Sequence, residues 1–113
     1  MRSLLLALAA TTAIACTKSV HPLALAITIQ PNRTTAATGY TITFTTEVQG
    51  GQIVNVTIHF GDGEEDFYNT NYARTATLQF RHAYAAPGTF DVDAVVLDAV
   101  AGAKADTVQV VVN

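Results

Sequence analysis

The sequence predicts an all-β domain of about seven strands arranged as two packed sheets. Two features carry this expectation. Apolar and polar residues alternate with a period of two through several short windows, the pattern of a half-buried strand. Tyr40, Ile42 and Phe44 alternate with Thr41, Thr43 and Thr45, and Phe90, Val92, Ala94 and Val96 alternate with Asp91 and Asp93. Between such windows stand Gly, Pro and Asn at short, regular intervals, as in a β-sandwich. A third feature excludes the alternative: no window keeps a helical period over the ~10 residues a helix would need.

The amino terminus stands apart from this pattern. Met1-Arg2-Ser3 carries one positive charge and is followed by an apolar run, Leu4 to Ala15, too short to span a bilayer as a mature helix. This is the layout of a secretory signal segment over residues 1–15. Cys16 is the single cysteine, so it has no partner for an internal disulfide. The letters Ala13-Ile14-Ala15-Cys16 resemble the lipobox of bacterial lipoproteins, with Ala13 where leucine is usual. The resemblance implies cleavage before Cys16 and acylation of its thiol, hence a membrane as partner through an acyl anchor on Cys16. It also implies a lipid-anchored place in the cell envelope. Thr17 rather than aspartate follows the cysteine, which favours the outer membrane or cell surface. Residues 16–24 then form a tether, and 25–113 the folded domain.

Composition narrows the classes of function. The chain has 113 residues, of which 50% are hydrophobic and 13% charged, with a formal net charge of −3 and a mean hydropathy of +0.28. Loss of Arg2 with the signal segment makes the remainder more acidic still. Nucleic acid is therefore not an expected partner, since it calls for a basic patch. A domain of roughly 100 residues buries enough surface to fold without disulfides or metal.

In order along the domain, Leu25, Ile27 and Ile29 form a first strand that stops at Pro31-Asn32. Tyr40 to Thr45 forms a second, with threonine on its wet face, where β-branching suits a pleated surface. Gly50-Gly51 is expected to close it with a hairpin. In the next strand Val54, Val56, Ile58 and Phe60 point inward and Asn55, Thr57 and His59 outward, ending at Gly61-Asp62-Gly63. Glu64 to Asn71 reads as an acidic loop. Thr75 to Phe80 is a strand, continued by the alternation of Phe80, His82 and Tyr84. Pro87-Gly88 reads as a type II turn ahead of the long strand that begins near Phe90. Ala99 to Asp106 reads as a small-residue loop, and Val108, Val110 and Val112 as the last strand.

Two of these stretches resemble the polycystic-kidney-disease (PKD) domain family. Val56-Thr57-Ile58-His59-Phe60-Gly61-Asp62-Gly63 is similar to its W-D-F-G-D-G-type signature. His82-Ala83-Tyr84-Ala85-Ala86-Pro87-Gly88-Thr89-Phe90-Asp91-Val92 is similar to its H-x-Y-x-x-P-G-x-Y/F-x-V signature. Ile58 stands where the family has tryptophan and His59 where it has its first aspartate, so Phe44, Phe60, Phe80 and Phe90 are expected to fill the core instead. The resemblance implies an Ig-like β-sandwich. It also implies a non-enzymatic role in contact with an envelope protein or polysaccharide, or as a spacer, with Gly61, Asp62, Gly63, His82, Tyr84, Pro87, Gly88 and Phe90 as scaffold.

Few residues suggest chemistry. Asp62, Glu64, Glu65 and Asp66 place four carboxylates within five positions, a possible calcium ligand set, although the spacing is not that of an EF-hand loop. A run of surface charge is more often simply solvated. Asp91 and Asp93 share one strand face but belong on its wet side, not in the cleft a glycosidase pair requires. His59 and His82 lack the further ligands that zinc needs, and His21 lies in the tether. No cofactor is expected, nor any catalytic set. Phe67, Tyr68 and Tyr72 either display themselves as a contact patch for a sugar or protein or tuck over the sandwich edge, the expectation favoured here.

Overall fold

A computed structural model of the protein describes residues 23–113, all of them strand, turn or irregular chain, with no helix among the described residues. Cys16, His21 and the signal segment lie outside them. The strands are β1 (Ala26–Pro31), β2 (Thr35–Ala36), β3 (Thr41–His59), β4 (Glu65–Ala83), β5 (Gly88–Asp98) and β6 (Gly102–Val112). Hydrogen bonding joins them in the order β1-β3-β5-β6-β2, with β4 on the free side of β3. Among the described residues there are six strands where about seven are expected, because two of them are long enough to serve both layers.

The device that makes two layers from one sheet is a fold in β3 and β4. Phe44 and Phe60 are sixteen positions apart, a separation of roughly 50 Å along a straight strand. Their ring centroids are nevertheless 5.7 Å apart, so β3 folds back on itself. Its first half pairs with β1 and the second half of β4. Its second half, from Ile53 on, pairs with the first half of β4 and with β5. Gly50-Gly51 is therefore a reversal, as the sequence suggests. It is not a hairpin, since the two arms lie in opposite layers. A Cβ at Gly50 would stand 2.7 Å from the Asp98 carboxylate and 3.2 Å from Leu25, so the fold closes only over glycine. β4 turns the same corner outside it, where Asn71 and Tyr72 take φ of 52° and 63°.

Further differences follow from this arrangement. The register slips between Gln49 and Asn55, so Ile53 enters the core at 0% exposure and Val54 is only half-buried. Residues from Glu65 on are strand, not loop, because the second half of β3 offers them an open edge to pair with. The strand after the Ala99–Ala101 turn begins already at Gly102, which pairs with Asp98. Gly88 has φ of 158°, nearly extended, and pairs with Val112. Pro87-Gly88 is thus a strand entrance in place of a type II turn. Proline, lacking an N–H, stands just ahead of the ladder, and the missing Cβ at Gly88 lets the Phe90 ring approach.

The core follows the predicted alternation elsewhere. Ile42, Phe44, Val56, Ile58, Val92, Ala94, Val96 and Val110 are fully buried. Phe60 and Phe80 join them, while Phe90 is half-buried against the cluster. The open side between the layers is bridged where Ile29 N–H of β1 donates to Asp106 Oδ2 of β6 at 3.0 Å.

Candidate functional site

The two signature stretches meet at one end of the sandwich, and their side chains form a continuous aromatic ladder. Phe60 stacks on His82 with ring centroids 4.1 Å apart. His82 meets Tyr84 edge-on at 4.6 Å, and Tyr84 stacks on Phe90 at 4.4 Å. Such pairs contribute roughly 0.5–1.5 kcal/mol each beyond their buried area. Polar bonds lock the ladder. Tyr84 O–H donates to the Phe60 carbonyl at 2.7 Å, and His82 Nε2 lies 2.7 Å from Asp62 Oδ2. The second oxygen, Asp62 Oδ1, accepts the Glu64 N–H at 3.1 Å.

Electrostatics follow from these contacts. Partial burial of Asp62 opposes its ionisation, but the His82 hydrogen bond, the Glu64 N–H and the nearby His82 charge outweigh that and hold its carboxyl below the ordinary value. Burial, with Asp62 adding a smaller push, raises the Tyr84 hydroxyl well above its ordinary value, so it stays a neutral donor. Gly61 must be glycine here, since its φ is +89° and a Cβ would stand 2.7 Å from the Asp91 carbonyl.

The acidic run does not converge. Asp62 faces His82, Glu65 Oε1 lies 3.1 Å from His59 Nδ1, and Asp66 Oδ1 accepts the Phe67 N–H at 2.8 Å. Among the described residues no three His, Cys, Asp or Glu side chains are placed to hold a metal ion. Asp91 and Asp93 accept side-chain bonds across the strand from Gln109 at 3.2 Å and Thr107 at 2.8 Å. An open concavity of about 530 Å³ crosses Ala26–Thr28, Glu47–Gln49 and Thr75–Thr77, with Glu47 its one titratable side chain.

The aromatics of the expected loop are displayed and not tucked in: Phe67 is 56% exposed, Tyr68 52% and Tyr72 60%. They are also not one patch. Phe67 and Tyr68 occupy successive positions of β4, across from Thr57 and Val56, and so point to opposite faces. Tyr72 sits on the β4 corner at the other end of the sandwich from the ladder.

One organising residue escapes sequence reasoning. Asp98, 2% exposed, takes an inward position in β5 and accepts three N–H groups: Gln52 at 2.6 Å, Val100 at 2.9 Å and Ala101 at 2.8 Å. The Ala101 N–H foremost, then those of Gln52, Val100 and Gly51, hold its carboxyl below the ordinary value against the opposing effect of burial. Its only sequence trace is an aspartate breaking the apolar parity of β5 just before a turn.

The fold and the ladder together define an immunoglobulin-like β-sandwich module whose polar signature residues brace its own core. The chain belongs to the PKD domain family, which matches residues 26–112. Among solved structures it is similar to the PKD domain of an M14-like peptidase from Thermoplasmatales archaeon SCGC AB-540-F20, at 23% identity and TM-score 0.65, covering 80% of this chain and 94% of that one. It is also similar to the PKD domain of the human VPS10 domain-containing receptor SorCS2, at 22% identity and TM-score 0.56, covering 81% and 74%. A third is a CARDB domain from Pyrococcus furiosus in complex with di-metal ions, at 15% identity and TM-score 0.60, covering 80% and 93%. At these identities the likeness is one of fold. No curated protein matches the chain significantly.

Proposed function

We propose that the protein is an exported, non-enzymatic lipoprotein, held to a membrane by acylated Cys16, whose PKD domain serves the cell envelope as a protein-interaction or structural module. One observation carries the non-enzymatic reading. The signature side chains capable of chemistry are committed to holding the fold: both Asp62 oxygens, His82 Nε2 and the Tyr84 hydroxyl all have intramolecular partners. The lone Cys16 behind Ala13-Ile14-Ala15 supports the anchor. Acylation with more than one chain gives stable membrane attachment.

The test is incorporation of labelled palmitate together with membrane fractionation. Wild-type protein is expected to take up label and sediment with membranes, and Cys16→Ser to do neither. Label uptake or unchanged sedimentation in Cys16→Ser would sink the anchor. Envelope proteins captured by full-length protein after cross-linking test the interaction role.

The exposure of Phe67 and Tyr68 on a sheet edge supports a second reading, a carbohydrate-binding accessory module. A glycan array decides between them. Binding that Tyr68→Ala or Tyr72→Ala abolishes favours the sugar reading, and binding unchanged in both rules out that segment.

A further inference from the structure

The end of the sandwich opposite the aromatic ladder concentrates apolar surface just where the chain leads back toward Cys16. Among the described residues seven large hydrophobic side chains are exposed, and four of them lie at this end: Leu23 at 39%, Tyr72 at 60%, Leu97 at 41% and Val100 at 76%. Contacts fix the grouping. A Cβ at Gly50 would touch both Leu25 and Asp98, Asp98 holds the Val100 and Ala101 N–H groups, and Ile53 pairs with both Asp98 and Ala73 of the β4 corner. The entry of the chain at Leu23–Leu25, the corners of β3 and β4 and the β5–β6 turn are therefore neighbours.

This surface is built and not collapsed. The in–out alternation of β5 runs unbroken to its end, but the residue types are exchanged there, with Asp98 buried and Leu97 turned outward. The same carboxylate clamps the turn so that Val100 stands proud of it. Ala99, Ala101 and Ala103 around it are also exposed and uncharged.

We propose that this end is a lipid-contact surface, in which Val100, Leu97, Tyr72 and Leu23 rest at the headgroup boundary of the membrane that holds the anchor. The proposal rests on acylation of Cys16. Six residues separate Cys16 from Leu23, a leash of at most roughly 25 Å when extended, so this end of the domain is the one tied nearest the bilayer. Tyrosine suits such a boundary because its ring is apolar and its hydroxyl wet. Charge agrees. Among the described residues the exposed charged side chains on this half are Arg74, Lys104 and Glu47, two cations to one carboxylate, while Asp62, Glu64, Glu65, Asp66 and Asp91, together with Arg33 and Arg81, lie toward the far end. An anionic surface attracts the near end and repels that carboxylate cluster. A second copy of the chain is the competing occupant.

The test uses the full-length acylated protein on vesicles of phosphatidylethanolamine and phosphatidylglycerol. Val100→Cys, and in a separate protein Thr89→Cys at the far end, carry an environment-sensitive dye, and a shallow lipid-borne quencher reads contact with the bilayer. Quenching at Val100 is expected to exceed that at Thr89 by roughly threefold, with a blue shift at Val100 alone. Co-flotation with vesicles reads the anchor separately: protein that fails to float overturns acylation, and the proposal with it. Protein that floats with equal quenching at both sites overturns the lipid contact alone. Equal quenching with a doubled mass in cross-linking assigns the surface to a second copy and likewise overturns it.

Discussion

Thr46 shows how a single buried atom can work against the fold. It is fully buried, and its hydroxyl has no hydrogen-bond partner. Valine has nearly the same shape without the unpaired oxygen, so Thr46→Val is expected to raise stability by about 1 kcal/mol in urea unfolding. A loss would mean that the hydroxyl finds a partner in solution. Asp98 is the opposite case, a buried charge that accepts the N–H groups of Gln52, Val100 and Ala101. The folded protein lowers its pKa, as it does that of Asp62, so both favour folding above the ordinary aspartate value of 3.8. That stability is lost as pH falls through their lowered folded values. Melting temperature is therefore expected to hold from pH 7 to about 5 and to fall steeply below about 4. Asp98→Asn should flatten the acid fall, at a lower starting stability. An unchanged acid slope in that variant would remove Asp98 from the account.

Turns and corners decide how the strands are used. Gly61 and Gly63 have similar positive φ values, but a Cβ at Gly63 meets nothing within 4 Å while one at Gly61 collides with the Asp91 backbone. Gly63→Ala is accordingly expected to cost about 1–2 kcal/mol, the strain of a left-handed alanine. Gly61→Ala should cost more, because the Asp91 backbone must shift. Equal losses would show that the Gly61 turn relaxes away from β5. Removing the Tyr84 hydroxyl with Tyr84→Phe leaves the Phe60 carbonyl unpaired in a buried place, an expected loss of about 1–3 kcal/mol in the same assay.

Across the whole molecule, the contacts that close the sandwich join residues far apart in sequence. Ile29 bonds Asp106, Gln52 bonds Asp98, and β2 pairs with the end of β6. Loops must close before such contacts reward them, so stopped-flow refolding is expected on a timescale of milliseconds to seconds. Refolding in microseconds would contradict a transition state built on these pairings. At this scale the molecule is also polarised, with its family signature at one end and its exposed apolar rim at the other.

Sequence alone determined the strands whose alternation is clean. Ile42 and Phe44, Val92 to Val96 and Val110 to Val112 are buried on the side their period assigns, because that pattern is local and one face must be dry. Its family resemblance named Asp62, His82, Tyr84 and Phe90 as scaffold, but their meeting with Phe60 in one ladder is seen only in the fold, and its reading of Pro87-Gly88 as a tight turn did not survive. Only the tertiary structure decided the rest. Whether Gly50-Gly51 makes a hairpin or an arch depends on Asp98 and Leu25, distant residues that fill the space where a Cβ would stand. Glu65 to Asn69 became strand because β3 left an edge to pair with, although its own composition is that of a loop. Phe67, Tyr68 and Tyr72 look alike in sequence. The pleat and the corner send them to two faces and an end.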